Sequence, residues 1–111
     1  MARTEKGDRN GSASSSLATS SASRDADAIK AALAEEIVRV IEAKRLSRVG
    51  AAKALGVGQA RISNLINGRL EEVSIFRLLR HLMRLNHDVE LRITPQKRRP
   101  GRLRVVRPSE N

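Results

Sequence analysis

Residues 47–68 read SRVGAAKALGVGQARISNLING, and their spacing decides the fold. Ala52 is followed by Gly56, then by Ile62 and Leu65. Two helices that cross closely need a small residue at the contact, which Ala52 supplies. The tight turn after the first needs a residue tolerant of positive φ, which Gly56 supplies. The second helix then packs through branched or long apolar side chains, Ile62 and Leu65, and leaves its other face free. Ser47 is a natural N-cap for the first helix, which runs to about Leu55. The second runs over about 59–66 and stops at Asn67-Gly68. The pattern is that of a helix-turn-helix.

Working outward, Ile29, Leu33, Ile37, Val40 and Ile41 recur at helical spacing. They predict an amphipathic helix over 28–44, with Asp25 or Asp27 as its cap. On the far side, Ser74 opens a helix carrying Ile75, Leu78, Leu79, Leu82 and Leu85 on one face, closed by Asn86. Arg77, Arg80 and Arg84 stripe its surface, and Phe76 and Met83 border the apolar face as core or dimer interface. His81 is expected on the exposed side. The period then changes. Val89, Leu91 and Ile93 alternate with Asp88, Glu90 and Arg92, which predicts a half-buried strand over 88–94. A lone strand needs a ladder partner. Residues 102–107 could fold back as a hairpin, or the strand could pair with its twin in a symmetric dimer. The twin is favoured, because the intervening loop holds Pro95, Pro100 and three consecutive cations.

Composition limits the function. The 111 residues suffice for one domain, with 22 Lys and Arg against 12 Asp and Glu, a net charge of +10. A pI near 11.5 points to a polyanionic partner. The charge is uneven. Residues 1–27 are neutral and rich in Ser, Ala, Gly and Thr, and are expected to be a disordered tail. Residues 28–94 hold 12 basic and 7 acidic side chains. Residues 95–111 form a basic tail with six cations and Glu110. The absence of Cys excludes disulfides, thiolate metal sites and thiol catalysis. His81 and His87 have no metal-binding spacing, and no Gly-rich phosphate loop follows a strand. Neither an enzyme nor a bound metal or cofactor is expected. A single Phe without Trp or Tyr argues against readers of single strands, which stack bases on aromatic rings. No apolar run approaches the ~18 residues of a membrane span, so a cytoplasmic protein is expected.

The stretch 47–68 resembles the phage-repressor-like (Xre/Cro) helix-turn-helix family, and GVGQARISNLING (56–68) is similar to the turn and recognition helix of lambda-type repressors. The whole of 28–94 looks like the HigA-like antitoxin branch, through the loop NGRLEEVS (67–74), the helix SIFRLLRHLMRL (74–85) and the segment DVELRI (88–93). The sequence departs from the family at Arg48, where Gln is usual, and at Gly50, which weakens its helix by ~1 kcal/mol against Ala.

The resemblance implies an all-α, lambda-repressor-like domain of four to five helices with one C-terminal β-strand, pairing in a dimer. It implies double-stranded DNA as partner, with the recognition helix in the major groove. On that reading Gln59, Ala60, Arg61, Ser63 and Asn64 face base edges, with Gln59 suited to adenine and Arg61 to guanine. Arg48, Lys53, Asn67 and Arg69 meet phosphates, while Ile62, Leu65 and Ile66 point inward. The function implied is a sequence-specific repressor, homodimeric on a palindromic operator, in a bacterial cytoplasm and associated with the nucleoid. A narrower form is the antitoxin of a toxin–antitoxin pair, bound to a cognate toxin protein. The competing reading is a nonspecific nucleic-acid-coating basic protein driven by charge alone.

Overall fold

The computed structural model describes the backbone of residues 15–108 and the side chains of 24–108. Four helices follow one another: α1 (Ser15–Ala43), α2 (Arg48–Leu55), α3 (Gln59–Ile66) and α4 (Ile75–Arg84). α1 packs against α4 and α3, and α2 packs against α3 and α4. Their inward faces form one core. α1 contributes Ile29, Leu33, Ala34, Ile37, Val40 and Ile41, which include every residue whose recurrence predicted it. Ile37, Ile62 and Leu78 are fully enclosed. Each such side chain contributes about 1.5–3 kcal/mol by leaving water. Lys30 joins α1 to the loop after α3, donating from Nζ to the Leu70 carbonyl at 3.2 Å.

The helix ends follow from local chemistry. Ser47 and Ser74 have extended backbones, and their hydroxyls accept from the amides of Gly50 and Arg77 at 3.0 Å. At the other ends, Arg45, Gly56, Gly68 and Asn86 all have positive φ, between 56° and 74°. Each of the four closes its helix in the same way. After α2, the Gly56 amide donates to the Lys53 carbonyl and the Val57 amide to the Ala52 carbonyl. The same pair of bonds recurs at Arg45/Leu46, Gly68/Arg69 and Asn86/His87. This is the Schellman closure, which satisfies carbonyls that a helix end otherwise orphans.

Several expectations need correction. α1 begins at Ser15 rather than near 28, so Asp25 and Asp27 lie within the helix instead of capping it. A packed C-terminal half has already met the nucleation cost, and extension through Ala-containing turns then adds little. Residues 1–14 of the expected tail lie outside the described residues, as do 109–111. Val89, Leu91 and Ile93 form no strand, and there is none among the described residues. Nor does 102–107 return beside them as a hairpin. Among the described residues, no backbone–backbone hydrogen bond involves 88–108. Alternation shows that a segment could present two faces, but a ladder also needs a second backbone alongside.

The tail instead folds back onto α1. Val105 packs against the core, and Arg107 donates to the Ala32 carbonyl and to Glu35, both at 3.1 Å. Its Nε lies 3.8 Å from Glu36, a buried carboxylate that Arg39 also holds. These cations keep the Glu36 carboxyl below its ordinary range, the Arg39 hydrogen bond foremost. Phe76 and Met83 are exposed at 65% and 47%, so neither is core. His81, expected outside, is buried with its Nε2 unpartnered. No described helix is long and apolar enough to cross a membrane.

Candidate nucleic-acid interface

The turn between α2 and α3 sets the presentation of α3. Ala52 is buried at the α2–α3 crossing, and Gly56 turns the chain at φ 70°. A Cβ there would also lie 3.1 Å from the Arg84 guanidinium, whose Nε donates to the Ala54 carbonyl across the turn. α4 therefore braces the turn through Arg84. α3 starts at Gln59 with Gly58 as an N-cap that offers no side chain. Ile62 and Leu65 anchor it in the core.

With those two fixed, the remaining α3 residues take their places by helical geometry. Gln59, Ala60 and Asn67 are exposed; Arg61, Ser63 and Asn64 are half-buried along the margins. Ile66, expected inside, is 40% exposed at the edge. Arg48 donates from Nη1 to the Ser63 hydroxyl at 2.6 Å. That bond ties the first turn of α2 to the middle of α3 and fixes a cation at the margin of the exposed face. The usual Gln position thus carries an Arg whose role within the fold is to bind the next helix. Ser63 is engaged as an acceptor, and its own proton stays available.

Two depressions flank the exposed strip. Lys53 and Gln59 share the first with Val49, Ala52 and Gly56–Gly58. The second brings Arg61, Arg69 and Arg77 around Ala60, Asn64 and the turn glycines, with Glu72 as its acidic member. Arg77 belongs here, although its sequence position suggested only the α4 surface. It lies in the first turn of α4, and the short loop 67–74 carries that turn to the α3 margin. His81 lies behind this cluster. Burial, then Arg77, Arg61, Arg84 and Arg80, keep its imidazole below the ordinary range.

The strip is thus a short polar ridge with cations on both sides, Arg48 and Lys53 toward α2 and Arg61, Arg69 and Arg77 toward α4. Such a ridge fits a groove lined by phosphates, where cations set position and the ridge meets the groove floor. The sequence expectation for Val89, Leu91 and Ile93 concerns a different surface. Leu91 and Ile93 are 83% and 95% exposed, and Val89 is half-buried against the core.

Residues 18–94 match a family model described as a helix-turn-helix domain. A solved structure described as a putative XRE family transcriptional regulator is similar, with 37% sequence identity and a TM-score of 0.70. The match covers 76% of this chain and 97% of that one. No curated protein matches the chain.

Proposed function

The chain belongs to the XRE-type helix-turn-helix family of DNA-binding transcriptional regulators, and from that premise we propose that it is a repressor that reads its operator as a homodimer. The supporting observation is the α3 strip. Gln59 and Ala60 stand at the free N-terminal end of the helix, the end that enters a major groove. Gln59 matches the adenine edge, Arg61 the guanine edge, and Ala60 a thymine methyl. Ser63 and Asn64 reach base edges further along. Arg48, Lys53, Asn67 and Arg69 neutralise or hold phosphates and set the register. Two such domains, joined through 88–94, address half-sites ~34–36 Å apart on a palindrome.

The test is a gel shift on the chain's own upstream DNA against a scrambled duplex across a salt series. Wild type should prefer its own DNA. Gln59→Ala should lose roughly 1–3 kcal/mol of that preference without changing the salt slope. Arg61→Ala should lose a similar amount. Equal shifts on both duplexes, indifferent to either change, would mean that charge alone drives binding and the protein coats nucleic acid nonspecifically.

A narrower reading makes the repressor an autoregulating antitoxin. Phe76 and Met83 support it, since α4 holds these large apolar side chains in water beside Arg77, Arg80 and Arg84. An exposed apolar and cationic face of this kind suits a protein partner such as a cognate toxin. Co-expression with the neighbouring genes should then yield a complex that Phe76→Asp disrupts, and recovery of the chain alone would remove the reading.

A further inference from the structure

The bond from Arg48 to Ser63 fixes more than the crossing of two helices. Arg48 Nη1 donates to the Ser63 hydroxyl at 2.6 Å. A guanidinium stays charged, carries five N–H donors and has no acceptor. It therefore holds the Ser63 oxygen in one sense only, as an acceptor. A neutral amide in its place can hold the hydroxyl either way round, because its carbonyl can turn to take the hydroxyl proton.

Ser63 lies one turn along α3 from Gln59 and Ala60, half-buried on the outward strip. A serine hydroxyl has one proton and two lone pairs. Arg48 occupies one lone pair. The other lies beside the guanidinium charge, where an incoming N–H donor meets a partner of like sign. The proton is polarised by the bond, which makes it a better donor. Among the described residues, no second partner takes it. The hydroxyl is thus available to a ligand as a donor and disfavoured as an acceptor.

We propose that Arg48 and Ser63 act as one unit that reads a keto oxygen, selecting guanine or thymine over cytosine and adenine at one position of the bound sequence. This rests on the reading of α3 as a recognition helix and names what one of its contacts selects. In the major groove guanine presents O6 and N7, and thymine presents O4, all acceptors. Cytosine and adenine present the amino donors N4 and N6 there. A donating hydroxyl bonds the first two bases. The cytosine amino group would have to use the lone pair beside the guanidinium, and adenine N7 stands next to an amino group that meets the same charge. Arg48 keeps further N–H groups for a neighbouring phosphate. It is a positioning residue for Ser63, and Ser63 makes the choice.

The test is a selection from a pool of randomised duplexes with the full chain, sequencing what binds. Wild type runs beside Ser63→Ala, Arg48→Gln and the double variant. Wild type should show one position where the keto bases are preferred by roughly fivefold to tenfold, the scale of one hydrogen bond. Ser63→Ala should level that position and leave the others. Arg48→Gln should level the same position, because the amide can turn and let the hydroxyl accept as well as donate. The double variant should level it no further, since the two residues act as a unit. Arg48 is exposed, so circular dichroism of Arg48→Gln should match wild type.

A keto preference that survives Arg48→Gln would overturn the proposal, and affinity falling equally on all sequences would leave Arg48 a phosphate contact alone. Guanine chosen without thymine, and indifferent to Ser63→Ala, would overturn it by making Arg48 itself the reader. An amino base at the position that Ser63→Ala levels would reverse its sense. These failures leave the regulator standing, because preferences at other positions persist. A wild-type pool with no preference at any position would remove the recognition-helix reading, and the proposal with it.

Discussion

His81 is the residue whose environment makes the sharpest solution prediction. Its ring is buried, its Nε2 has no partner, and Arg77, Arg61, Arg84 and Arg80 surround it. All of these disfavour the imidazolium, so the folded chain holds the neutral ring below the ordinary pKa of 6.5. Between the folded and unfolded values the unfolded chain binds the extra proton, so stability rises with pH there. The contribution is therefore complete above about 6.5 and is lost as pH falls through the depressed folded value. Glu36 has the same sign at lower pH, complete above 4.5 and lost below it. Urea titrations of wild type should show stability falling in two acid steps. His81→Leu should abolish the upper step and keep the lower, and should match or exceed wild type at about pH 7.5 because no buried nitrogen is left unpaired. An upper step that survives in the variant would assign it to another group. Sequence alone did not locate His81 or Glu36. Both stand at core-facing spacing, His81 between Leu78 and Leu85 and Glu36 between Leu33 and Val40; polar character put His81 on the exposed side, and the apolar periodicity that drew α1 passed over Glu36. The α3 residues were more legible, because Ile62 and Leu65 orient the helix by periodicity alone. The Arg48–Ser63 bond was not, since it depends on how two helices cross.

At the scale of elements, helix boundaries followed side-chain chemistry where the residue type carries a signal. Ser47 and Ser74 open their helices, and Gly56, Gly68 and Asn86 close theirs, with types that tolerate those positions. Two ends carried no such signal. The Ser-rich start of α1 lacks apolar periodicity, so its extension to Ser15 was invisible. The end of α1 places Arg45 at φ 56° with full Schellman bonding. A residue with a Cβ in this region costs about 1–2 kcal/mol, while glycine adds about 0.5–1 kcal/mol of chain entropy. Arg45→Gly should therefore stabilise the protein by up to about 1 kcal/mol, a rise of a few degrees in Tm. Asn86→Gly should gain less, since Asn adopts this conformation at lower cost. A lowered Tm for Arg45→Gly would mean that the Arg45 side chain contributes more than its backbone strain removes. The predicted strand at 88–94 marks the limit of this kind of reading. Periodicity reports the faces of a segment, while pairing depends on what lies beside it.

For the molecule as a whole, the basic tail has two separable physical roles. Lys97, Arg98, Arg99 and Arg102 are exposed cations, suited to meeting phosphates. Arg107 is different, because it clasps α1 through the Ala32 carbonyl, Glu35 and Glu36. An interaction between positions more than 70 residues apart leaves no pattern in the sequence. The tail was legible as charge and illegible as structure. The ion pair with Glu35 is largely exposed and counts for little, whereas Glu36 is buried and needs its cations. Removing 96–111 should then do two things at once. It should lower Tm, because the Arg107 clasp and the Val105 packing go with it. It should also flatten the dependence of DNA affinity on salt, the log–log slope falling by ~0.9 for each phosphate that the tail had neutralised. Arg107→Gln separates them. It should reproduce part of the fall in Tm while leaving the salt slope close to wild type, because its cation is engaged within the fold. Replacing Lys97, Arg98 and Arg99 with Gln should flatten the slope and spare Tm. If instead Arg107→Gln flattened the slope as much as the triple change, the clasp would be open on DNA, and Arg107 would be a phosphate ligand that α1 holds only until the duplex arrives.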